Sequence, residues 1–178
     1  MEFVFYMVII AAFVYVMTGV VQSTFLSVTP IKREQLPRVI EDEFQKLFPD
    51  FATQSISLQK ARQRYQVIGK CGGKPSKLVF GVTPESELAV VEYSQAAADH
   101  PFVKHRAIAS AQVPPKIAHR LGHYLAHDPP LMETGKAESG MIGDTPAYRI
   151  EIDSQKYHYQ FDITDSGELF KFSKREVA

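Results

Sequence analysis

Three histidines spaced four apart, His119, His123 and His127, carry the most specific chemical pattern in the sequence. On a helix, at about 100° per residue, they fall within one narrow band, and imidazoles at i and i+4 can share a zinc ion. A closed site needs further ligands. The stretch HRLGHYLAH supplies neither a cysteine nor a glutamate partner and is not an HExxH motif. The plainer reading is a solvated polar face that happens to be His-rich, and a pH-sensitive surface of three neighbouring imidazoles is an alternative use. Gly69-Lys70-Cys71-Gly72-Gly73-Lys74 has the look of a phosphate loop, but it fails on spacing, and Pro75 stands where the magnesium-binding Ser or Thr should be. It reads instead as a flexible hairpin loop, in which Cys71 is an exposed thiol whose pKa the flanking lysines lower. No base accompanies it. Glu41-Asp42-Glu43 and Glu85/Glu87 are carboxylate clusters of the same bare kind; Glu41 and Glu43 are expected to face water, with Glu43 and Lys46 as an i, i+3 helical pair. No residue is therefore assigned a catalytic, cofactor-binding or metal-ligating role. No cofactor is expected, and the chain does not read as an enzyme.

The elements that carry these residues show through hydrophobic spacing. Leu36, Ile40, Phe44, Leu47 and Phe48 form a helical stripe that Pro37 opens and Phe48-Pro49-Asp50 closes. Val113, Ile117, Leu121, Tyr124 and Leu125 form a second, after Pro114 and before Asp128-Pro129-Pro130. The strands echo this pairing. KLVFGVTPESEL (Lys77 to Leu88) aligns with YQFDITDSGEL, so that Phe80 meets Phe161, Val82 meets Ile163, Thr83 meets Thr164, Ser86 meets Gly167, Glu87 meets Glu168 and Leu88 meets Leu169. Matching order and spacing predict two copies of one unit, a helix followed by a strand meander.

In the second copy Tyr148, Ile150 and Ile152 alternate with charged residues, as do Tyr157, Tyr159, Phe161 and Ile163 with polar ones. A turn at Ser154-Gln155 would pair Asp153 with Lys156, Ile152 with Tyr157, Ile150 with Tyr159 and Tyr148 with Phe161, which puts every apolar side chain on one face. A second turn at Asp165-Ser166-Gly167 returns Phe170 and Phe172 to that face, and the helix over 114–127 covers it. A core accounts for these aromatics better than a ligand-binding wall. The first copy is apolar on both sides (Val79, Leu88, Val90, Val91), so its sheet is expected to be covered twice, the second time by the other copy. Ser94 to Gln112 reads as a connector with one helical turn.

Phe3 to Val21 runs without a charge and spans roughly 28 Å as a helix, close to a bilayer core. Glu2 supplies no basic n-region, so an uncleaved single-pass anchor is favoured over a signal peptide. Lys32, Arg33 and Arg38 beyond it lean the soluble part toward the cytoplasm. Composition narrows the rest. Net charge is +0, which argues against a nucleic-acid partner, and 45% hydrophobic residues with 22% charged exclude a disordered tail. One cysteine excludes an internal disulfide and any multi-cysteine metal site.

Tyr148 to Phe172, YRIEIDSQKYHYQFDITDSGELFKF, resembles the PepSY domain family, in which two strands joined by a tight turn lead into an acidic, Thr/Gly, Glu, Leu hairpin. Asp162, Thr164, Gly167, Glu168 and Leu169 occupy that pattern. The first copy resembles it more loosely, because Glu85-Ser86 replaces the Gly-containing turn. The resemblance implies a non-catalytic helix-on-sheet module, membrane-tethered, extracytoplasmic and associated with protein binding or protease regulation. On location it opposes the charge-based cue. The expectation is thus an α+β chain: an anchor over 1–24, a polar connector over 25–35, PepSY-like repeats over 36–94 and 113–178 with a linker over 95–112. It would touch lipid through Phe3 to Val21 and bind another protein. A structural subunit of a membrane complex, or metal binding on the His119/His123 face, are the alternatives.

Overall fold

The computed structural model describes residues 28–95, 100–125 and 135–177. Ten antiparallel strands make one sheet: β1 (Val28–Pro30), β2 (Phe51–Gln59), β3 (Arg64–Cys71), β4 (Lys74–Val82), β5 (Leu88–Gln95), β6 (Phe102–Ile108), β7 (Lys136–Ile142), β8 (Thr145–Asp153), β9 (Tyr157–Thr164) and β10 (Leu169–Glu176). Their order is β1-β2-β3-β4-β5-β10-β9-β8-β7-β6. Two helices, α1 (Arg38–Leu47) and α2 (Pro115–Leu125), pack on it. The expected pair of tandem helix-on-meander repeats is therefore corrected to a single sheet-dominated fold. β5 and β10 pair edge to edge, from Lys171 opposite Ser94 to Arg175 opposite Val90. One hydrophobic cluster runs beneath both helices. The double cover expected for the first copy is absent among the described residues, because the two sets of strands join side by side instead of stacking.

The expected transmembrane helix is not found among the described residues. No helix among the described residues is long and apolar enough to cross a membrane. The Phe3 to Val21 stretch itself lies outside the described residues.

Both helices sit where their stripes require. Ile40, Phe44 and Leu47 of α1 and Ile117, Leu121 and Leu125 of α2 are buried. α1 stops at Phe48, since Pro49 disfavours helical backbone in the residue before it. Pro115 opens α2 at the first helical position, where a missing N–H costs nothing. On the strands, alternate residues such as Val67, Leu78, Phe80, Val91, Phe161 and Phe172 face the helices. Phe48 is the meeting point: its ring stacks on Tyr93 of β5 at 5.0 Å and lies 5.9 Å from Tyr124 of α2 and 6.2 Å from Phe172 of β10.

The β8–β9 register differs from expectation by two residues. Ile152 faces Tyr159, Ile150 faces Phe161 and Tyr148 faces Ile163. Ser154 causes the shift: its Oγ accepts from the Tyr157 N–H at 2.9 Å and its N–H donates to the Tyr157 carbonyl at 2.8 Å, which widens the turn. An even shift keeps every side chain on its face. Phe170 is displaced by a bulge between Leu169 and Lys171, so only Phe172 returns to the helix side. The supposed connector contains β6, an edge strand, along with the helical turn at Ser110–Gln112. Gly140 of β7 is needed under β6, because a β-carbon there would run into the Val103 carbonyl oxygen and lie 2.7 Å from the Phe102 ring.

Because one core serves the whole sheet, Phe172→Ala should cost about 3–5 kcal/mol. Thermal unfolding followed by far-UV circular dichroism and by tyrosine near-UV signals should stay coincident in wild type and variant. Two separated transitions, only one of them moved, would mean two independent modules.

Candidate functional site

The β5–β10 seam carries a concave feature on each side of the sheet. Strand alternation decides which residues go where. On the helix side a cleft of about 340 Å³ opens between the β3–β4 turn, α2 and the start of β10, lined among others by Cys71, Lys74, Tyr93, Arg120, Tyr124 and Glu168. Gly72 and Gly73 form the β3–β4 turn with φ of +56° and +80°, the left-handed pair that a two-residue hairpin demands. The presumed flexible loop is thus a tight turn, and it brings Lys74 into an ion pair with Glu168.

Glu168 also accepts from Gln95 Nε2 at 2.7 Å, and the same amide donates to the Leu169 carbonyl at 2.9 Å. These bonds close the end of the seam. Burial pushes the Glu168 carboxyl up, but Lys74 and Gln95 together outweigh it and hold the group below the ordinary carboxylate range.

Cys71 is half-buried, and its thiol is pushed up by burial, with Tyr93 and Arg120 only partly offsetting this. The expectation of a lysine-activated thiol is corrected. Alternation sends Lys70 to the other face of β3, and Lys74 is turned toward Glu168. Burial likewise raises the Tyr93 phenol to about 12 and raises Tyr124. At neutral pH these groups stay protonated and offer hydrogen bonds.

On the opposite face no described element covers the sheet. A groove of about 270 Å³ crosses the seam there, lined by Lys77, Glu92, Gln160, Lys171, Ser173 and Arg175 among others. Register places Lys77, Ser94 and Lys171 in one row across three strands, and Val79, Glu92, Ser173 and Gln160 in the next. Arg175 Nη2 meets Glu92 Oε1 at 2.9 Å. Among the described residues neither Lys77 nor Lys171 has an ion-pair partner. Arg64 and Lys70 of β3 share this face, opposite the buried Val67.

Further out, on β6 to β9, several charges are paired with one another. Arg149 grips Asp162 with two hydrogen bonds of 2.7 and 2.9 Å, and its guanidinium lies 4.6 Å from the centre of the Phe102 ring. The hydrogen bond to Asp162 raises the Arg149 pKa against the effect of burial. Lys104 pairs with Glu138, and His158 Nδ1 lies 2.6 Å from Asp153 Oδ1.

The histidines contribute to neither feature. His119 and His123 are exposed on α2, with His123 edge-on to Tyr124 at 5.1 Å, and His127 lies outside the described residues. Among the described residues no three His, Cys, Asp or Glu side chains gather to hold a metal ion. Glu41 accepts from Arg33 and Gln45 and is held below its usual range chiefly by Arg33. Glu43 does not face water. It keeps the expected partner Lys46 at 3.6 Å, and it also binds Lys174 at 2.9 Å with both side chains only 11% exposed. Lys77, Glu92 and Lys171 escaped sequence reasoning because only the seam brings them together. Their sole trace was position on the polar side of alternating strands.

No protein-family model matches the chain, and no curated protein does. Among solved structures it is similar to a candidate periplasmic protein from Bacteroides eggerthii DSM 20697, at 13% identity, covering 79% of this chain and 88% of that one, with a TM-score of 0.29. At that TM-score the likeness carries no argument about fold, location or activity.

Glu168 provides a pH test. With its pKa depressed in the folded state, its contribution to stability is present above the ordinary carboxylate pKa and is lost as pH falls through the lowered value. Lys74→Met leaves burial with less opposition. The Glu168 carboxyl, followed by carbon-13 NMR, should then titrate at higher pH, and acid unfolding should begin earlier. An unmoved midpoint would show that Lys74 does not hold it. Cys71 should in turn react with iodoacetamide more slowly at pH 7.5 than a free cysteine.

Proposed function

We propose that the protein is a non-catalytic binding module that holds another protein on the helix-free face of its sheet. The observation that carries this reading is the groove across the seam, to which β4, β5, β9 and β10 all contribute and which no described element fills. A broad, rigid sheet presents side chains from several strands at fixed spacing, which suits recognition of a partner surface or segment. The helix-side cleft supports the same reading from the other direction. Its thiol and phenols are shifted away from neutral pH and its carboxylate is already engaged by Lys74 and Gln95, so it lacks the poised acid–base pair that catalysis needs. The resemblance of Tyr148 to Phe172 to the PepSY family, which is associated with protein binding and protease regulation, agrees with this.

The reading is tested by placing a photo-cross-linking amino acid in the full chain, in its native cell, at Ser94, at Ser173 and at Lys116 on the exposed side of α2. Ser94 and Ser173 should yield an adduct of the same discrete mass containing the same protein, and Lys116 should not. Equal adducts from all three positions, or none from the two seam positions, would remove the proposal.

A further inference from the structure

The groove's charge names the chemistry of its partner. Resting on the reading of the helix-free face as a protein-binding surface, we infer that the segment bound there is an acidic, extended stretch of polypeptide lying along the β5–β10 seam. Over the whole chain Lys and Arg balance Asp and Glu at 20 each. That balance is not kept locally. On the helix-free side of β3, β4, β5 and β10 stand Arg64, Lys70, Lys77, Lys171 and Arg175, against the single carboxylate Glu92, which Arg175 engages. On the outer strands Asp162 is 1% exposed beneath Arg149 and Glu138 is bound by Lys104, while Glu151 stands opposite Lys136 in register. Around the groove itself basic groups therefore outnumber carboxylates. Lys77 of β4 and Lys171 of β10 flank Ser94 of β5 in one row, so two positive side chains stand on the same face on either side of β5.

Between them the groove offers Ser94, Ser173 and Gln160 as uncharged hydrogen-bonding side chains, and Val79 as an apolar contact. This mixture suits a peptide, whose backbone and carboxylates both need partners. Single-stranded nucleic acid is matched less well. Its binding sites stack bases on aromatic rings, and by strand alternation the aromatics of β4, β5 and β9 (Phe80, Tyr93, Tyr157, Tyr159, Phe161) all lie on the helix side. An anionic bilayer surface is flat, whereas these side chains line a concave groove.

The test uses the purified full chain and a fluorescein-labelled peptide of six Glu-Ser repeats, read by fluorescence anisotropy at low and moderate salt. The peptide should bind at low salt and weaken as salt rises. Lys77→Glu/Lys171→Glu should weaken it at least tenfold. Lys116→Glu/Arg120→Glu on α2, which changes net charge equally, should alter it less than twofold. The milder Lys77→Gln/Lys171→Gln variant, checked for an unchanged melting curve, should show an intermediate loss. No binding at low salt, or equal losses in both reversal variants, would overturn the inference. Tighter binding of a dT12 oligonucleotide or of phosphatidylserine vesicles with the same dependence on Lys77 and Lys171 would also overturn it. If the peptide fails while cross-links from Ser94 and Ser173 still capture one protein, the acidic-segment inference falls and the binding module stands. If those cross-links fail too, both fall.

Discussion

Backbone pairing of β5 with β10 joins strands that would otherwise both be sheet edges. An unpaired edge in the middle of such a molecule would leave a row of N–H and C=O groups open to any other chain. Pairing them removes two edges and leaves β1 and β6 as the outer ones; β1 is only 3 residues long, and β6 carries a bulge and basic residues. The seam is reinforced on the helix side in two places. At one end Gln95 binds Glu168 and the Leu169 carbonyl. Along its length Phe48, Tyr93, Tyr124 and Phe172 pack as a group drawn from the cap of α1, from α2 and from both seam strands. Lys174 adds a third tie, reaching Glu43 on α1 while its ammonium lies 4.2 Å from the centre of the Tyr157 ring. A buried ion pair of this kind is weak evidence of net stability, but losing either partner strands a charge. It fixes α1 over β10 and so opposes any separation of the two sets of strands.

How much of this could be read in the sequence depends on the range over which each feature is encoded. The helices were legible, since Ile40, Phe44 and Leu47, or Ile117, Leu121 and Leu125, repeat within a few residues and every one of them is buried. The faces of β8 and β9 were legible for the same reason, at period two. Their register was not, because the Ser154 side chain, a strictly local hydrogen-bonding device, widens the turn without disturbing the alternation. β2, β6 and β7 were hidden. FATQSISLQ, FVKHRAI and KAESGMI are polar or small-residue runs whose strand character comes from their neighbours. Most of all, nothing local distinguishes a last strand that ends a module from one that pairs with the last strand of another. Tandem separate units and one continuous sheet share the same pattern of apolar residues.

The candidate site was illegible for that last reason. Lys77 and Lys171 are far apart in the chain and unremarkable where they stand, and a neutral total charge conceals their concentration. Charge balance over a sequence constrains solubility and long-range steering, not the local field at a groove. Cys71 failed in the opposite sense. Its lysine neighbours are adjacent in sequence, yet on a strand adjacency means opposite faces, and burial beside Tyr93 decides the thiol's behaviour.

That same alternation lets a single seam serve two environments. Phe172 and Lys174 point to the helices while Lys171, Ser173 and Arg175 point away, although all five are consecutive on β10. The helix side is consequently rigid, aromatic and closed by Gln95 and Glu168, and the other side stays charged and open. Substitutions of Lys77 or Lys171 change the field of the groove without touching the packing that holds β10 in place. Substitution of Phe172 does the reverse, withdrawing the support on which the spacing of those lysines depends. Stability and recognition are thus written in alternate residues of one strand, and each can be altered while the other is measured.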